Sequence, residues 1–495
     1  MILAHVAVEK SSRIAACDQA AFPLLVVPAI ARPELLFVAH SSAARKEGFL
    51  KMTRWAFNAV YVVLAVALLP WVFLRLLRGG RPVAAPLARA IGAVRRMPPP
   101  DHARGIRRIW LHGVSVGEVN LLHTLSQMLH SIDPTVECVA SSSTTTGIDL
   151  ARRKFGDHST FACPLDFSWA VSRVLDRVAP DLLVLGELEL WPNLLDRAHA
   201  RGIPIAVVNA RMSPRSFRGY SRITPFVQQM LRKIDLVAAR SPDDAHRFST
   251  LGAKHVFMSG SMKFDGVVGD RMSPAILALR SLANILPSDV VFLAGSTQSP
   301  EELLAINTFC ALCGEFPALR LILVPRHTER CGSIATMLDD MQVQWQLRSR
   351  LDHENIHSSA RVLLVDSIGE LSNWWGTARI AFVGGSLDGH RGGQNMIEPA
   401  AYGCAVAFGP HTFNFQNEVQ ELLEADASRV IDDGDSLTDF VRKCLLESEW
   451  AEQLGKRAAT LVASRRGVTR VTAHALLDLL NRRCSHNAGT QTTTP

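Results

Sequence analysis

From Ile106 onward the chain repeats one pattern: a short apolar run, a turn, and then an amphipathic stretch of helical period. Apolar runs that alternate with helical stretches predict parallel strands joined by crossover helices, because both faces of such a sheet are covered. The pattern restarts at Val290. The sequence therefore predicts an α/β fold with two open parallel-sheet domains. The runs are IRRIWLHG, VECVAS, DLLVLG, PIAVVN, DLVAAR and HVFMSG, and after the restart VVFLAGS, LRLILVPR, RVLLVDS, ARIAFVGGS and CAVAFGP.

A different kind of segment precedes this pattern. Residues 55–74 read WAFNAVYVVLAVALLPWVFL and contain no charged side chain. About twenty apolar residues are needed to cross a bilayer, so we expect one N-terminal transmembrane helix here. Basic residues lie on both sides, and the longer downstream run, which begins with Arg75 and Arg78, favours a cytoplasmic main body. A buried core helix or an uncleaved signal segment is the alternative interpretation.

These features predict a domain organisation. We expect an N-terminal extension over residues 1–51, for which disorder is one interpretation, and a membrane anchor helix over 52–78. A basic linker over 79–105 then leads to a Rossmann-like domain over 106–268 and to a second one over 269–480. The polar residues 481–495 are expected to form a disordered tail.

Charge and composition narrow the class of partner. The chain has 53 lysines and arginines against 46 aspartates and glutamates, a formal net charge of +7, which favours an anionic partner. It has only 3 tyrosines and no basic surface with interleaved aromatic residues, so we expect no nucleic-acid partner. A hydrophobic content of 48% excludes a disordered chain.

The turn after the first predicted strand carries two alternative chemistries. In open α/β sheets the ligand binds beyond the carboxyl ends of the strands. Here the sequence is Gly-Val-Ser-Val-Gly-Glu, which ends at Glu118. Glu118 would lie on the first helical turn, where it either faces the cleft or only complements the helix dipole. The same residues also match the G-x-S-x-G nucleophile elbow of hydrolases, with Ser115 as the nucleophile.

Further charged residues follow the later strands of the first half. Glu187 and Glu189 come directly after DLLVLG, and Lys263 comes after the run HVFMSG. Carboxylates at such a position are costly unless they are paired or hydrated, which favours a functional site over a purely structural role.

The second half has glycine turns and charged residues that together describe a nucleotide site. Glycine turns supply backbone donors, Arg326 supplies a guanidinium, and Glu398 supplies a carboxylate that can bind ribose hydroxyls. Neither a Walker A run nor a dinucleotide G-x-G-x-x-G fingerprint occurs in the right context. We expect no metal site, because no coherent cluster of metal-ligating residues accompanies these turns.

Taken in order, these runs resemble the 3-deoxy-D-manno-octulosonic acid (Kdo) transferases over about residues 52–480, the anchor included. The runs that carry the resemblance are HGVSVGE, ELELWPN, NAR, GSMKFD, LVPRH, VGGS, RGGQNMIEPAA and GPHTFNFQ. The resemblance implies a GT-B fold, in which two Rossmann-like domains, an acceptor domain and a donor domain, face each other across a cleft. It also implies an inverting glycosyltransferase that moves Kdo from CMP-Kdo to a lipid A precursor, lipid IVA, in lipopolysaccharide core biosynthesis, and releases CMP.

The resemblance also implies roles for residues. It implies that Glu118 is the general base and that Glu187 and Lys263 support the transition state. The implied CMP contacts are Pro325, Arg326, Ile368, Gly369, Glu370, Asn395, Met396, Ile397 and Glu398. Two glutamines, Gln298 and Gln394, stand where the family usually has histidine.

The resemblance implies no cofactor, since CMP-Kdo is the donor substrate and a metal is not required. The implied partners are CMP-Kdo, the lipid A precursor and the inner membrane surface, with the catalytic domains on the cytoplasmic side of a single-pass anchor. Two alternatives stay open at this point. One is another GT-B glycosyltransferase that uses a UDP-sugar and a lipid carrier, and the other is a Ser115 hydrolase.

Overall fold

The computed structural model describes residues 88–267, 269–351 and 360–490. Within these ranges the chain forms two parallel sheets of seven strands each, with helices on both faces. The predicted α/β architecture of two parallel-sheet domains is therefore confirmed. The predicted extension over 1–51 and anchor helix over 52–78 lie outside the described residues. Among the helices that are described, none combines membrane-spanning length with an apolar sequence.

The first sheet has the strand order β3-β2-β1-β4-β5-β6-β7, and we call it and its helices the first lobe. Its central strands are fully buried apolar runs, as expected for a sheet covered on both faces. The strands are β1 Arg107–His112, β2 Val136–Ser142, β3 Thr160–Ala162, β4 Leu182–Gly186, β5 Ile205–Ala210, β6 Leu236–Ala239 and β7 Val256–Met258.

The second sheet has the order β10-β11-β9-β8-β12-β13-β14 and forms the second lobe. Separate apolar cores cover its two faces, one around Trp374 and Trp375 and the other around Phe292 and Phe382. The strands are β8 Val290–Thr297, β9 Leu319–Pro325, β10 Trp345–Leu347, β11 Val362–Leu364, β12 Ile380–Val383, β13 Ala405–Phe408 and β14 Ser428–Val430.

The helices connect these strands. Those of the first lobe are α1 Val116–Ile132, α2 Thr145–Phe155, α3 Ser168–Val178, α4 Pro192–Ala200, α5 Pro214–Ser221, α6 Thr224–Leu231 and α7 Pro242–Thr250. Those that follow are α8 Pro274–Leu282, α9 Glu301–Leu312, α10 Cys331–Asp340, α11 Leu371–Trp374, α12 Ile397–Ala401, α13 Gln416–Glu424, α14 Gly434–Leu446, α15 Ser448–Ser464 and α16 Val468–Thr490.

Each sheet reverses its strand order at one point. In the first sheet this switch lies between β1 and β4, and in the second it lies between β8 and β12. Crossover helices leave from opposite faces at such a point, which opens a crevice at the carboxyl ends of the two strands. The turns after β1, β4, β8 and β12 are therefore where each lobe can bind a ligand.

The last helix, α16, packs on the first lobe although it follows the second lobe in the chain. Leu476 and Leu480 of α16 are buried in the same apolar cluster as Ile109 and Leu111 of β1, and α16 also contacts α1. The sequence predicts residues up to 480 as part of the second domain, and the difference arises because the apolar face of α16 covers the first sheet. Residues 481–490, expected in a disordered tail, continue α16.

The chain passes between the lobes at two adjacent places, after Val267 and again between α15 and α16. The Asp265 carboxylate accepts hydrogen bonds from the backbone N–H groups of Gly467, at 2.6 Å, and Thr469, at 2.5 Å. The Arg466 guanidinium donates to the Val267 carbonyl at 2.5 Å. These bonds hold the two passages side by side.

Candidate active site between the lobes

Glu118 lies at the start of α1 and its carboxylate is almost buried, with 8% of the residue exposed. Its Oε2 accepts a hydrogen bond from the Val114 N–H at 3.0 Å, and its Oε1 accepts from the Ser115 N–H at 3.2 Å and from the Ser115 hydroxyl at 2.8 Å. The Ser115 Oγ accepts from the Glu118 N–H at 3.2 Å, which completes a capping box. These bonds fix the direction of the Glu118 carboxylate.

The environment of Glu118 opposes its ionisation. Burial raises the pKa of Glu118, and the nearby Glu187 raises it further, although the hydrogen bonds from Val114 and Ser115 act in the opposite direction. The end of β4 packs directly on the carboxylate, because a β-carbon added to Gly186 would lie 3.4 Å from Oε2. A carboxyl group with a raised pKa accepts protons more readily than an exposed one.

The hydroxyl of Ser115 is engaged in the same capping box. It donates to Glu118 and accepts from the Glu118 N–H. Within the described part of the chain, no hydrogen bond joins this hydroxyl to a histidine. His112, at the end of β1, instead bonds through Nδ1 to the hydroxyl of Ser141 at 2.9 Å. This arrangement does not supply the serine–histidine pair of a nucleophile elbow.

Glu187 and Glu189 lie at the other side of the first switch point. Glu187 has a φ of 54°, in the left-handed region, and its N–H donates to the Val208 carbonyl at 3.0 Å. The Glu189 carboxylate accepts a hydrogen bond from the Trp191 indole N–H at 2.8 Å. Burial, with the charges of Glu118 and Glu187, raises the pKa of Glu189 to about 7. Three carboxylates therefore share one small region.

Lys263 lies in a 3₁₀ helix, Met262–Phe264, which follows β7. Burial lowers its pKa, while the charges of Glu418 and Glu187 raise it. Glu187 and Lys263, both predicted to support the transition state, are therefore within electrostatic range of each other. The structure brings Glu118, Glu187 and Lys263 together at the carboxyl edge of the first sheet.

Asn209 fixes the turn that carries Lys263. The ladder between β5 and β6 is irregular at this point, and Asn209 has a φ of 50°. Its side-chain oxygen accepts a hydrogen bond from the Met262 N–H at 3.1 Å. Bulges at strand ends commonly redirect side chains towards an active site, and here one redirects Asn209 towards the neighbouring turn.

Cations of the first lobe contact the second lobe. Lys263 Nζ donates to the Asn414 carbonyl at 3.2 Å, and Arg211 donates to the Phe413 carbonyl at 3.2 Å. Glu418 of α13 is 1% exposed and accepts a hydrogen bond from the Ser261 hydroxyl at 3.0 Å. Ion pairs to Arg240, at 3.6 Å, and Lys263, at 3.8 Å, stabilise its charge. The turns at the carboxyl edges of both sheets thus meet.

In the second lobe, Glu301 organises the turn after β12. Its carboxylate accepts hydrogen bonds from the N–H groups of Gly385 at 2.7 Å, Ser386 at 3.0 Å and Leu387 at 3.2 Å. It also accepts from the N–H of Gln298 at 2.9 Å. The sequence around Glu301 gives no sign of this long-range role. Gln298 and Gln394 both lie close to Gly385, each 3.4 to 3.5 Å from the position of an added β-carbon.

Pro325 and Arg326 end β9. Pro325 is buried, whereas Arg326 is exposed, and its N–H donates to the Thr297 carbonyl at 2.9 Å. The following 3₁₀ helix is held by Arg330, which pairs with the buried Glu302 through two hydrogen bonds. The adjacent acids at the start of α9 therefore each fix one of the turns at the carboxyl edge of the sheet.

Ile368, Gly369 and Glu370 follow β11 in different environments. Ile368 is 86% exposed, and Gly369 has a φ of 91°, which favours glycine. The Glu370 carboxylate is already occupied, because it accepts hydrogen bonds from Arg348 at 2.9 and 3.0 Å and from Ser367 at 2.6 Å. These donors lower the pKa of Glu370. In this structure the carboxylate holds the loop together.

The segment Asn395–Glu398 opens α12. The Asn395 amide donates to the Glu398 carboxylate at 2.9 Å, and its oxygen accepts from the Ile397 N–H at 3.1 Å. Burial raises the pKa of Glu398. The side chains of Met396 and Ile397 are fully buried in the core, so these residues can reach a nucleotide only through their backbone.

The predicted residues therefore occupy adjacent turns in two rows, one along each sheet edge. Sequence reasoning named the charged residues after strands but missed Asn209, Glu301, Asn414 and Glu418, whose partners are far away in the chain. The motifs NAR and GPHTFNFQ contain the first and third of these and are the only local signal for them. In the described ranges, no group of three or more His, Cys, Asp or Glu side chains is arranged to hold a metal ion, and metal independence stays a prediction.

Comparison with known proteins places this chain near one group of enzymes. A family model described as 3-deoxy-D-manno-octulosonic-acid transferase (kdotransferase) matches residues 87–266. A 3-deoxy-D-manno-octulosonic acid transferase of Haemophilus influenzae is 34% identical over 75% of this chain and 86% of its own length. A protein of the same name from Bordetella pertussis is 32% identical over 75% of this chain and 87% of its own length.

A solved structure shares the fold. It is UDP-GlcNAc 2-epimerase from Neisseria meningitidis bound to UDP-GlcNAc, with a TM-score of 0.51 and 10% identity. The match covers 75% of this chain and all of the other, 100%. At this identity the likeness concerns the arrangement of the two lobes alone.

Proposed function

This chain belongs to the Kdo transferase family of glycosyltransferases, and from that premise we propose that it transfers Kdo from CMP-Kdo to a lipid A precursor with inversion at the anomeric carbon. The observation that carries the proposal is the buried Glu118 carboxylate, which shares the carboxyl edge of the first sheet with Glu187 and Lys263. Lys263 in turn contacts the second lobe, where the donor is expected.

In the proposed reaction an acceptor hydroxyl attacks the anomeric carbon of Kdo. A carbon–oxygen bond to the acceptor forms as the bond to the CMP phosphate breaks, and CMP departs with the electron pair. The hydroxyl proton passes to Glu118, whose direction is fixed by the capping box and whose pKa is raised by burial. Attack from the side opposite the leaving phosphate inverts the anomeric centre.

Lys263 and Glu187 support this transfer through their charges. The Lys263 ammonium is partly desolvated, so its interaction with an anionic group is stronger than in water. Glu187, whose backbone is in the left-handed region after β4, interacts electrostatically with both Glu118 and Lys263. We infer that the Lys263 ammonium stabilises the negative charge that develops on the departing phosphate, and that Glu187 orients this ammonium.

The second lobe offers groups for the CMP moiety. Arg326 is exposed at the end of β9, and among the described residues no hydrogen bond or ion pair engages its guanidinium, which leaves it available for a phosphate. Backbone groups of Gly369 and of Met396–Ile397, with the Asn395–Glu398 pair, line the neighbouring turns. Because the Glu370 carboxylate is occupied by Arg348, Glu370 supports this site by shaping its loop.

The proposed acceptor is a membrane lipid, so the proposed place of action is the cytoplasmic face of the inner membrane. The first lobe carries an exposed surface with the required character: Arg218 and Arg222 are exposed, and Ile223 is 49% exposed. Tyr220 of the same helix lies within electrostatic range of Glu189. This surface is therefore close to the carboxylate cluster, where a lipid headgroup would have to enter.

The deciding experiment offers CMP-Kdo and a lipid A precursor to the purified full chain and measures the product mass. We expect the acceptor to gain Kdo, CMP to be released, and the new linkage to have the opposite anomeric configuration to the donor. Parallel reactions with UDP-sugars test the nearest alternative, and a fluorophosphonate probe tests the Ser115 hydrolase. Transfer from a UDP-sugar but not from CMP-Kdo, or covalent labelling of Ser115, would reject the proposal.

A further inference from the structure

The turn Phe413–Phe415, between β13 and α13, is attached to a loop of its own lobe. The Asn414 side-chain amide donates to the carbonyls of Arg391 at 2.7 Å and Gly393 at 3.4 Å. The Asn414 backbone N–H donates to the Gly392 carbonyl at 2.9 Å. One residue therefore fastens the turn to the loop that leads directly into Asn395–Glu398.

The same residue also contacts the other lobe. The Asn414 carbonyl accepts the hydrogen bond from Lys263 Nζ at 3.2 Å, and the ammonium lies 4.3 Å from the centre of the Phe415 ring. A hydrogen bond from a charged donor is stronger than one from a neutral donor. Asn414 thus connects a loop of the second lobe with the ammonium group of the first.

The loop and the turn interlock sterically. Gly392 and Gly393 have φ values of 73° and 76°, and both are buried. A β-carbon added to Gly392 would lie 2.3 Å from the Phe413 ring, so the two segments are in close contact at this point. A displacement of the Arg391–Gly393 loop would therefore move Asn414 with it.

Charges on every side make the place of the ammonium matter. Glu418 on α13 and Glu187 after β4 favour the charged form of Lys263, whereas burial and the cations Arg240 and Arg211 oppose it. The ammonium lies 3.8 Å from Glu418, which also pairs with Arg240. A small shift of Lys263 would change its balance of attraction and repulsion, and the Asn414 carbonyl is the neutral acceptor that holds it.

We propose that Asn414 is a positioning residue for the transfer reaction, which couples the Arg391–Gly393 loop of the second lobe to Lys263 of the first. The inference rests on the proposed function, because it requires Lys263 to act at the reaction centre. Asn414 itself touches no reacting atom in this scheme. It acts through Lys263, and its side-chain amide supplies two of its three hydrogen bonds to the loop.

A double-mutant cycle tests this coupling in the full chain, with CMP-Kdo and lipid A precursor as substrates. The substitution Asn414→Ala removes both side-chain hydrogen bonds to the loop, and we expect kcat to fall about 10- to 100-fold. In a Lys263→Met background the same substitution should change kcat by less than about threefold, since its target is gone. CMP affinity should be the same in Asn414→Ala as in the unmodified chain.

The matched control is Asn417→Ala, three positions further along, for which the described residues provide no side-chain hydrogen bond and for which we expect no change in kcat. If Asn414→Ala does not fold, Asn414→Asp keeps the size of the side chain but cannot donate to the two carbonyls. An equal loss of kcat in both backgrounds would overturn the inference. Failure of the proposed function is separate, because it appears as the wrong product mass or donor in the unmodified chain, and the cycle can then be measured with the donor that is used.

Discussion

At the scale of single residues, three residues other than glycine adopt left-handed backbone conformations where strands end. Glu187, Asn209 and Ser296 have φ values of 54°, 50° and 55°. Such conformations cost of the order of 1 to 3 kcal/mol each and cluster at functional sites. The apolar runs predicted where these strands end, but they contain no information on φ. Asparagine tolerates this region, so Asn209 could have been anticipated, whereas Glu187 could not.

Glu118→Gln tests the proposed base. The glutamine side-chain oxygen can still accept the two hydrogen bonds from Ser115 that complete the capping box, and only the bond from the Val114 N–H is lost. We therefore expect the fold and the affinity for CMP to be retained. The amide cannot take up the acceptor proton, and kcat should fall about 10²- to 10⁴-fold. Steady-state rates with CMP titration give both values, and a variant with full activity would exclude Glu118 as the base.

The pH dependence of kcat provides a second test of Glu118. The carboxylate must be ionised to act as a base, and burial raises its pKa. We therefore expect kcat to fall on the acid side at a higher pH than an ordinary glutamate would give, and this acid limb should be absent in Glu118→Gln. An acid limb that persists unchanged in the variant would assign it to another group.

Glu189→Gln should stabilise the protein above neutral pH. The folded-state pKa of Glu189 is raised to about 7, so folding is opposed as the pH rises from the usual carboxyl range through that value. The glutamine mimics the protonated form and can still accept from Trp191. We expect a gain of about 1 kcal/mol in the free energy of unfolding at pH 8 and little at pH 5.

Thermal melts at the two pH values measure this difference. The exposed Glu449 on α15, changed to glutamine, is the control and should show no such pH-dependent gain. If the difference in melting temperature between Glu189→Gln and the unmodified chain is the same at both pH values, the ionised Glu189 carboxylate does not oppose folding.

At the scale of elements, the strands and the order of lobes follow from the sequence, but the supports of the turns do not. The turn between Gly384 and Leu387 could be recognised from its two glycines. The acceptor of its amides, Glu301, is more than eighty positions earlier in the chain. Local patterns contain chain neighbours only, so they give no sign of this long-range role of Glu301.

Gly384→Ala should disturb the turn after β12. An added β-carbon would lie 2.6 Å from the Glu301 carboxylate and 2.6 Å from the Thr297 α-carbon, which belongs to the backbone and has little freedom to move. We expect a loss of about 1 to 3 kcal/mol in stability and weaker donor binding, measured by denaturant unfolding and CMP titration. Gly332→Ala on α10 is the control, because nothing lies within 4 Å of its added carbon. Unaltered stability and CMP affinity in Gly384→Ala would contradict the described packing.

At the scale of the whole molecule, the path of the chain differs from the order of its two halves. The restart of the pattern at Val290 correctly indicated a second sheet. The return of α16 to the first lobe was not predicted, because an apolar helix face does not by itself indicate which of the two sheets it covers. The apolar cluster that Leu476 and Leu480 share with Ile109 and Leu111 of β1 reveals that assignment.

Truncation tests the contribution of α16. Ending the chain after Arg466 removes the buried face of α16 and uncovers apolar side chains of the first sheet. We expect this variant to aggregate or to melt at a markedly lower temperature, whereas a chain that ends after Arg482 keeps every buried residue up to Leu480 and should behave as the full chain does. Size-exclusion chromatography and thermal melts distinguish the two. A monomeric short variant with an unchanged melting midpoint would show that α16 is dispensable.

The two passages of the chain between the lobes lie side by side, and the hydrogen bonds of Asp265 and Arg466 join them. Two passages that are joined at one place favour a hinge rotation of the lobes about that place over a sliding displacement while these bonds stay intact. The width of the cleft between the lobes would then vary mainly with the hinge angle. Optical or spin probes fixed to opposite lobes would therefore report correlated changes of distance for different pairs of positions.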